Sequence, residues 1–271
     1  MKKYLIFFIF AVVSLQAYCQ AVSDERPLTI GEIRKINSKI LNENRTLNIY
    51  LPERYDSLKA YPVIYLLDGS INEDFLHICG LVQYFNLTFK MPEFIVVGIA
   101  NVDRRRDFTF KTDIKELKRD YPTTGHSEEF INFIKNELQP FINQNYKTSN
   151  TRYLIGQSLG GLLASEILIK QPDLFTHYFI VSPSLWWDNG SLLKGAPILI
   201  SNNNYDGIYV NLAVGKNEEP LMIEQSKQFF YIFSSQKNIK IDINKMEYED
   251  HATILHNAIY EAFLKLFPYK P

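Results

Sequence analysis

Tyr153-Leu154-Ile155-Gly156-Gln157-Ser158-Leu159-Gly160-Gly161-Leu162-Leu163-Ala164-Ser165-Glu166-Ile167-Leu168 is the stretch whose reading decides the fold. Tyr153 to Ile155 reads as the end of a short apolar strand, whereas Leu162, Leu163, Ile167 and Leu168 recur at helical spacing. Between them lies Gly156-x-Ser158-x-Gly160, the pattern of a nucleophile elbow. Its glycines leave room for a tight, strained turn that lifts a serine hydroxyl above a sheet edge. Gly161 suits close packing of the new helix against neighbouring strands. A Gly-rich turn without chemistry is the structural alternative. The strand before the motif and the helix after it favour a nucleophilic serine.

Working outward, Asn37 to Pro52 alternates like a strand or hairpin, with Leu47, Ile49 and Leu51 on one face. Pro62 to Leu67 and Phe94 to Ile99 are continuous apolar runs, as expected of strands buried on both faces of a parallel sheet. Tyr178 to Val181 and Val210 to Val214 continue the series, and Asn238 to Tyr248 is longer and alternates. Ser127 is placed to cap a helix with Phe130, Ile131, Ile134, Leu138 and Phe141 in its apolar stripe, kinked or divided at Pro140. Thr253 to Phe267 carries a second amphipathic pattern. Strands alternating with helices predict an α/β fold, a central mostly parallel β-sheet flanked by helices on both faces. No linker composition divides residues 20–271, which read as a single domain.

Lys2 and Lys3 precede an apolar run from Tyr4 to Leu15, and Ala17-Tyr18-Cys19 puts small residues at −3 and −1. Residues 1–19 are therefore expected to be a signal peptide cleaved before Gln20, directing the chain to the periplasm or outside the cell. No stable membrane span is expected after cleavage. Removing Lys2 and Lys3 with the leader leaves 27 basic against 30 acidic residues, a balance that does not suit a nucleic-acid partner. Cys79 is then the remaining cysteine, so an internal disulfide is excluded. No Cys/His cluster with metal-ligand spacing is visible, and no cofactor is expected.

In an open α/β sheet the ligand site lies beyond the carboxyl ends of the strands. That rule sorts the polar residues. A serine hydroxyl needs a positioned base, usually a histidine oriented by a carboxylate. Of the three histidines after Ser158, His177 precedes a strand and His256 lies inside the last helix. His251 follows the Asn238–Tyr248 strand and is the expected base. Glu218, just after the Val210–Val214 strand, is the expected acid, with Glu219 or a Ser–His dyad as alternatives. The Leu159 N–H is expected to bind an oxyanion together with the N–H of Gly69 or Ser70, on the loop after Pro62–Leu67. Arg104, Arg105 and Arg106 follow the Phe94–Ile99 strand in a loop on the same edge, where they can hold an anionic or catechol-bearing substrate or simply pair with Asp103 and Asp107. Trp186 and Trp187 are candidates for a substrate pocket, or for the core.

The chain resembles the putative-esterase family of the α/β-hydrolase superfamily, which includes siderophore (enterobactin-type) esterases, esterase D and feruloyl esterases. The likeness runs from about Ser38 to Phe267. It is carried by Tyr61-Pro62-Val63-Ile64-Tyr65-Leu66-Leu67-Asp68-Gly69, by Asn101-Val102-Asp103-Arg104-Arg105-Arg106-Asp107-Phe108-Thr109, by Gly156-Gln157-Ser158-Leu159-Gly160-Gly161, by Ser182-Pro183-Ser184-Leu185-Trp186-Trp187-Asp188 and by Glu249-Asp250-His251. It implies a serine nucleophile at Ser158 and a base at His251, and supports Glu218 through a Gly-x-x-Glu stretch. Gln157 stands where His is commoner, Ala252 where Gly often follows the histidine, and Pro220 makes the acid loop atypical.

The expected activity is therefore hydrolysis of a small-molecule or glycan-linked carboxylic ester through an acyl-enzyme. Two alternatives share the fold. One is acyl transfer to an alcohol by the same triad, and the other is non-catalytic binding of a glycan or siderophore.

Overall fold

The continuous apolar runs become the middle of an eight-stranded sheet in the computed structural model, which describes residues 26–269. The expected leader, residues 1–19, lies outside the described residues. The strands are β1 (Glu32–Ser38), β2 (Glu43–Tyr50), β3 (Tyr61–Leu66), β4 (Ile95–Ile99), β5 (Thr148–Gln157), β6 (His177–Val181), β7 (Ile208–Gly215) and β8 (Ile239–Met246). They run in the spatial order β1-β2-β4-β3-β5-β6-β7-β8. β2 is antiparallel to both β1 and β4, and every later pairing is parallel. The hairpin expected over Asn37 to Pro52 is present, but its first strand begins five residues earlier, at Glu32.

The helices are α1 (Phe75–Phe89), α2 (Arg104–Phe108), α3 (Lys115–Asp120), α4 (Ser127–Phe133), α5 (Gln139–Asn145), α6 (Leu159–Lys170), α7 (Trp187–Ile200), α8 (Pro220–Ser234) and α9 (Ile254–Leu266). Alternation along β3 divides the core between two faces. Val63 and Tyr65 pack with residues of α4 to α8, whereas Ile64 and Leu66 pack with Phe75, Ile78 and Phe85 of α1 and Ile259 and Phe263 of α9. β4 and β7 are buried along their whole length, which is why their sequences read as unbroken apolar runs.

Three local expectations change. Ser127 does not cap α4. Its N–H donates to the Thr109 carbonyl at 3.1 Å, which draws it into the first turn, and its buried hydroxyl has no partner among the described residues. Pro140 divides the helix through a π-helical turn, Ile134–Leu138, in which the Gln139 N–H reaches back five residues to Ile134. Proline has no N–H to continue the ordinary ladder, and the wider turn accommodates it. Arg104 to Phe108, read as a loop, is a short helix because Asp103 accepts from the Arg106 N–H at 3.0 Å and caps it.

Arg45 of β2 is wholly buried and meets Asp107 of α2, also wholly buried, at 2.7 Å. Glu43 holds the same Nη1 at 2.7 Å and also takes Arg106 at 2.6 Å. Asp107→Ala is expected to destabilise the fold by about 3 kcal/mol, because it strips a buried guanidinium of one of its two carboxylates. Denaturant unfolding checks this, and a change below about 1 kcal/mol would mean that Glu43 alone satisfies the charge.

Candidate active site

β5 ends and α6 begins at Ser158, whose backbone sits at φ +59°, ψ −117°. That conformation is costly for a residue with a Cβ and persists only where neighbours hold it. Here the Ser158 N–H donates to Val181 at 3.1 Å, and its carbonyl accepts from Leu162 and Ser184. Gly156 is required by the same turn, since a Cβ there would lie 2.5 Å from the Gly160 carbonyl oxygen. The elbow thus holds the serine side chain at the carboxyl edge of the sheet.

Two further loops meet it there. The segment after β8 carries His251, whose Nε2 lies 3.0 Å from Ser158 Oγ. The segment after β7 carries Glu218, whose Oε2 lies 3.0 Å from His251 Nδ1. The Glu218 side chain is completely buried, while that of His251 is 44% exposed. Oε1 of Glu218 accepts from the Gly215 N–H at 2.9 Å and from the Ser182 hydroxyl. Burial alone would raise the Glu218 carboxyl, but hydrogen bonds from His251, Ser182 and Gly215 outweigh it and hold the group below its ordinary value. Pro220, a departure from the family pattern, is the first residue of α8, where its fixed φ fits and its missing N–H costs nothing. Glu219, the alternative acid, is exposed in front of that helix.

The structure separates Gly69 from Ser70. The Gly69 N–H donates to the Ile99 carbonyl at 3.0 Å, so Gly69 is not a free donor, contrary to one of the two expectations. Glycine is needed there because a Cβ would lie 2.4 Å from Gly98 Cα of β4, a contact inside the fold rather than with substrate. The Ser70 N–H has no partner among the described residues. Leu159 opens α6, and a first-turn N–H has no acceptor within its own helix.

The arginines are already engaged. Arg104 grips Asp68 through Nε at 2.6 Å and Nη2 at 3.0 Å, and Nη2 also reaches the Gln157 carbonyl at 3.2 Å. Burial raises the Asp68 carboxyl, with Arg104 and Asn101 pulling it back. Arg106 is turned to Glu43 and Asp107, away from the elbow, which corrects its candidacy as a substrate contact. Arg105 donates to the Asp120 carbonyl and covers the Tyr121 ring. Trp187 is a core residue, fully buried, its Nε1 donating to Phe110 at 2.9 Å, which removes it as a pocket wall. Trp186 is half-buried beside Tyr121. His177 stacks on Tyr153 at the far end of the sheet, and burial pushes its imidazole down to about 4.

Three side chains not foreseen as contributors reach this centre. Gln157 Nε2 donates to the His251 carbonyl at 2.5 Å, tying the histidine loop to the end of β5. Ser182 holds Glu218, and Ser184 Oγ lies 3.4 Å from Ser158 Oγ. Their sequence signal was position: Ser182 and Ser184 directly follow β6 on the site edge, and Gln157 directly precedes the elbow serine.

A serine on a strained elbow, an imidazole against it and the carboxyl edge of a mostly parallel sheet define a serine hydrolase of the α/β-hydrolase fold. Residues 38–263 match the family model described as "Putative esterase". The chain belongs to that family and is a carboxylic ester hydrolase. It is 29% identical over 253 residues to ferri-bacillibactin esterase BesA of Bacillus subtilis, spanning 83% of this chain and 85% of that one. An IroE-like serine hydrolase from Shewanella oneidensis superposes with a TM-score of 0.80 at 28% identity, over 88% of this chain and 80% of that chain. The BES protein from Bacillus cereus gives 0.78 at 29% identity, over 89% and 97%.

Proposed function

We propose that the protein hydrolyses carboxylic esters through an acyl-enzyme formed on Ser158, with His251 as general base and Glu218 as the acid that orients it. The observation that carries this reading is the pair of 3.0 Å contacts on one imidazole, Nε2 to Ser158 Oγ and Nδ1 to Glu218 Oε2. With the carboxylate accepting at Nδ1, the proton resides there and Nε2 offers its lone pair to the hydroxyl. Ser158 Oγ attacks the ester carbonyl as Nε2 takes its proton. The carbonyl oxygen gains charge and is met by the N–H groups of Leu159 and Ser70. The imidazolium then protonates the departing alcohol. Water repeats the attack on the acyl-serine, and Ser158 recovers its proton.

The proposed substrates are small-molecule esters, with ferric-siderophore esters first among them because BesA is named for one. The chain is further proposed to work after export, on the strength of the leader pattern in residues 1–19. A fluorophosphonate tests the mechanism directly. One adduct per chain, mapped by mass spectrometry to the peptide containing Ser158, is expected. Labelling elsewhere, or no labelling of a folded sample, would remove Ser158 as the nucleophile.

A further inference from the structure

On the face of the sheet that carries α1 and α9, the first turns of these two helices face each other through histidines. His77 is the third residue of α1 and His256 the third residue of α9. Their Nδ1 atoms lie 3.2 Å apart, with ring centroids at 5.3 Å. Asp74 Oδ1 lies 3.3 Å from the other nitrogen of His77, Nε2. A carboxylate only accepts, so Nε2 keeps the proton and the His77 Nδ1 lone pair faces His256. The His77 side chain is 32% exposed and His256 is an exposed residue, so an ion can reach both from solvent.

We propose that His77 and His256 form a surface site for a divalent transition-metal ion, bound through both Nδ1 atoms, that clamps the start of α1 to the start of α9. Imidazole coordinates Zn²⁺ at about 2.0–2.1 Å, so one ion equidistant from nitrogens 3.2 Å apart subtends an angle of about 100°, between the octahedral and tetrahedral values. Asp74 stands as the outer carboxylate that fixes the ring and tautomer of a metal-binding histidine. Two imidazoles select Zn²⁺, Ni²⁺ or Cu²⁺ over Mg²⁺ and Ca²⁺, which require oxygen ligands. Among the described residues, no group of three or more His, Cys, Asp and Glu side chains is arranged to hold a metal. Water therefore completes the coordination, and the ion is exchangeable. The clamp's position matters for the site. α1 follows the Asp68–Asp74 loop, and α9 starts three residues after His251.

Titration of ZnCl₂ into the chelator-stripped full chain, followed calorimetrically, tests the proposal. One equivalent is expected to bind. His77→Ala and His256→Ala should each weaken it at least about 10-fold, and Asp74→Asn by about 10-fold through loss of the outer partner. MgCl₂ should give no heat of binding. Zn²⁺ should also raise the melting temperature of the wild type and not that of the His256→Gln variant, since an ion bound only by the folded chain stabilises it by mass action. The proposal is overturned if the wild type takes up no Zn²⁺, or if the two alanine variants bind it as the wild type does. Binding lost in His251→Ala but retained in His256→Ala would overturn it as well.

Discussion

Ser158→Ala is expected to lower kcat/KM for a short-chain aryl acetate by about 10⁵-fold, or roughly 7 kcal/mol of transition-state stabilisation. The effect should be chemical rather than structural. Alanine and serine both carry a Cβ, so the strain at φ +59° is common to the two, and the backbone bonds to Val181, Leu162 and Ser184 do not involve the hydroxyl. The melting temperature should accordingly stay within a few degrees of the wild type. His251→Ala should cost a comparable factor, and the double variant little more than either, because a nucleophile and its base act as a unit. Steady-state kinetics of the three variants check this. A single variant retaining the wild-type rate would sink the assignment.

The residues that carry this prediction were legible in the sequence for a physical reason. Strands buried on both faces leave unbroken apolar runs, so β3, β4, β6 and β7 could be read directly and ordered along the chain. Once strand direction is known, each following loop falls on one edge, and Ser158, Glu218 and His251 all lie in such loops. What was not legible depends on contacts between segments distant in the chain. The engagement of the Gly69 N–H by Ile99 is set by the close approach of Gly69 to Gly98, on a different strand. Asp68 and Arg104 are thirty-six residues apart, and nothing local shows that the arginine is committed to the loop after β3. Trp187 is buried by the fold of α7 against Phe110, whereas Trp186, its neighbour in the chain, is not.

The arginines at the site edge also bear on how the site is held together. Three consecutive basic residues at the site edge suggested an anion clamp, but Arg106 is spent on Glu43 and Asp107, and Arg105 on the Asp120 carbonyl and the Tyr121 ring. Arg104 remains beside the elbow, where its contacts with Asp68 and the Gln157 carbonyl tie the loop after β3 to the end of β5. Gln157 extends the same connection to the His251 carbonyl. The polar residues around the serine thus hold the loops after β3 and β8 in register with the end of β5.

Glu218→Gln is expected to reduce kcat by about 10⁴-fold, and Glu219→Gln to leave it unchanged. The argument turns on one amide. At Glu218, Oε1 accepts from the Gly215 N–H and the Ser182 hydroxyl, so the glutamine oxygen must take that position. Its NH₂ then faces His251 Nδ1 and donates to it, which moves the imidazole proton to Nε2. In that tautomer Nε2 donates toward Ser158 and has no lone pair to accept the hydroxyl proton. Turning the amide over would place NH₂ against the Gly215 N–H and leave two donors in contact. The acid dependence follows from the same bonds. Because the folded-state carboxyl is held below its ordinary value, Glu218 contributes stability above the unfolded value, and that contribution is lost as pH falls through the folded one. The glutamine variant, with no carboxyl to titrate, should therefore lose less melting temperature than the wild type between neutral and acid pH. A Glu218→Gln enzyme with near wild-type kcat would reduce the triad to a Ser158–His251 dyad, and the buried carboxylate would then be a structural brace for the loop after β7.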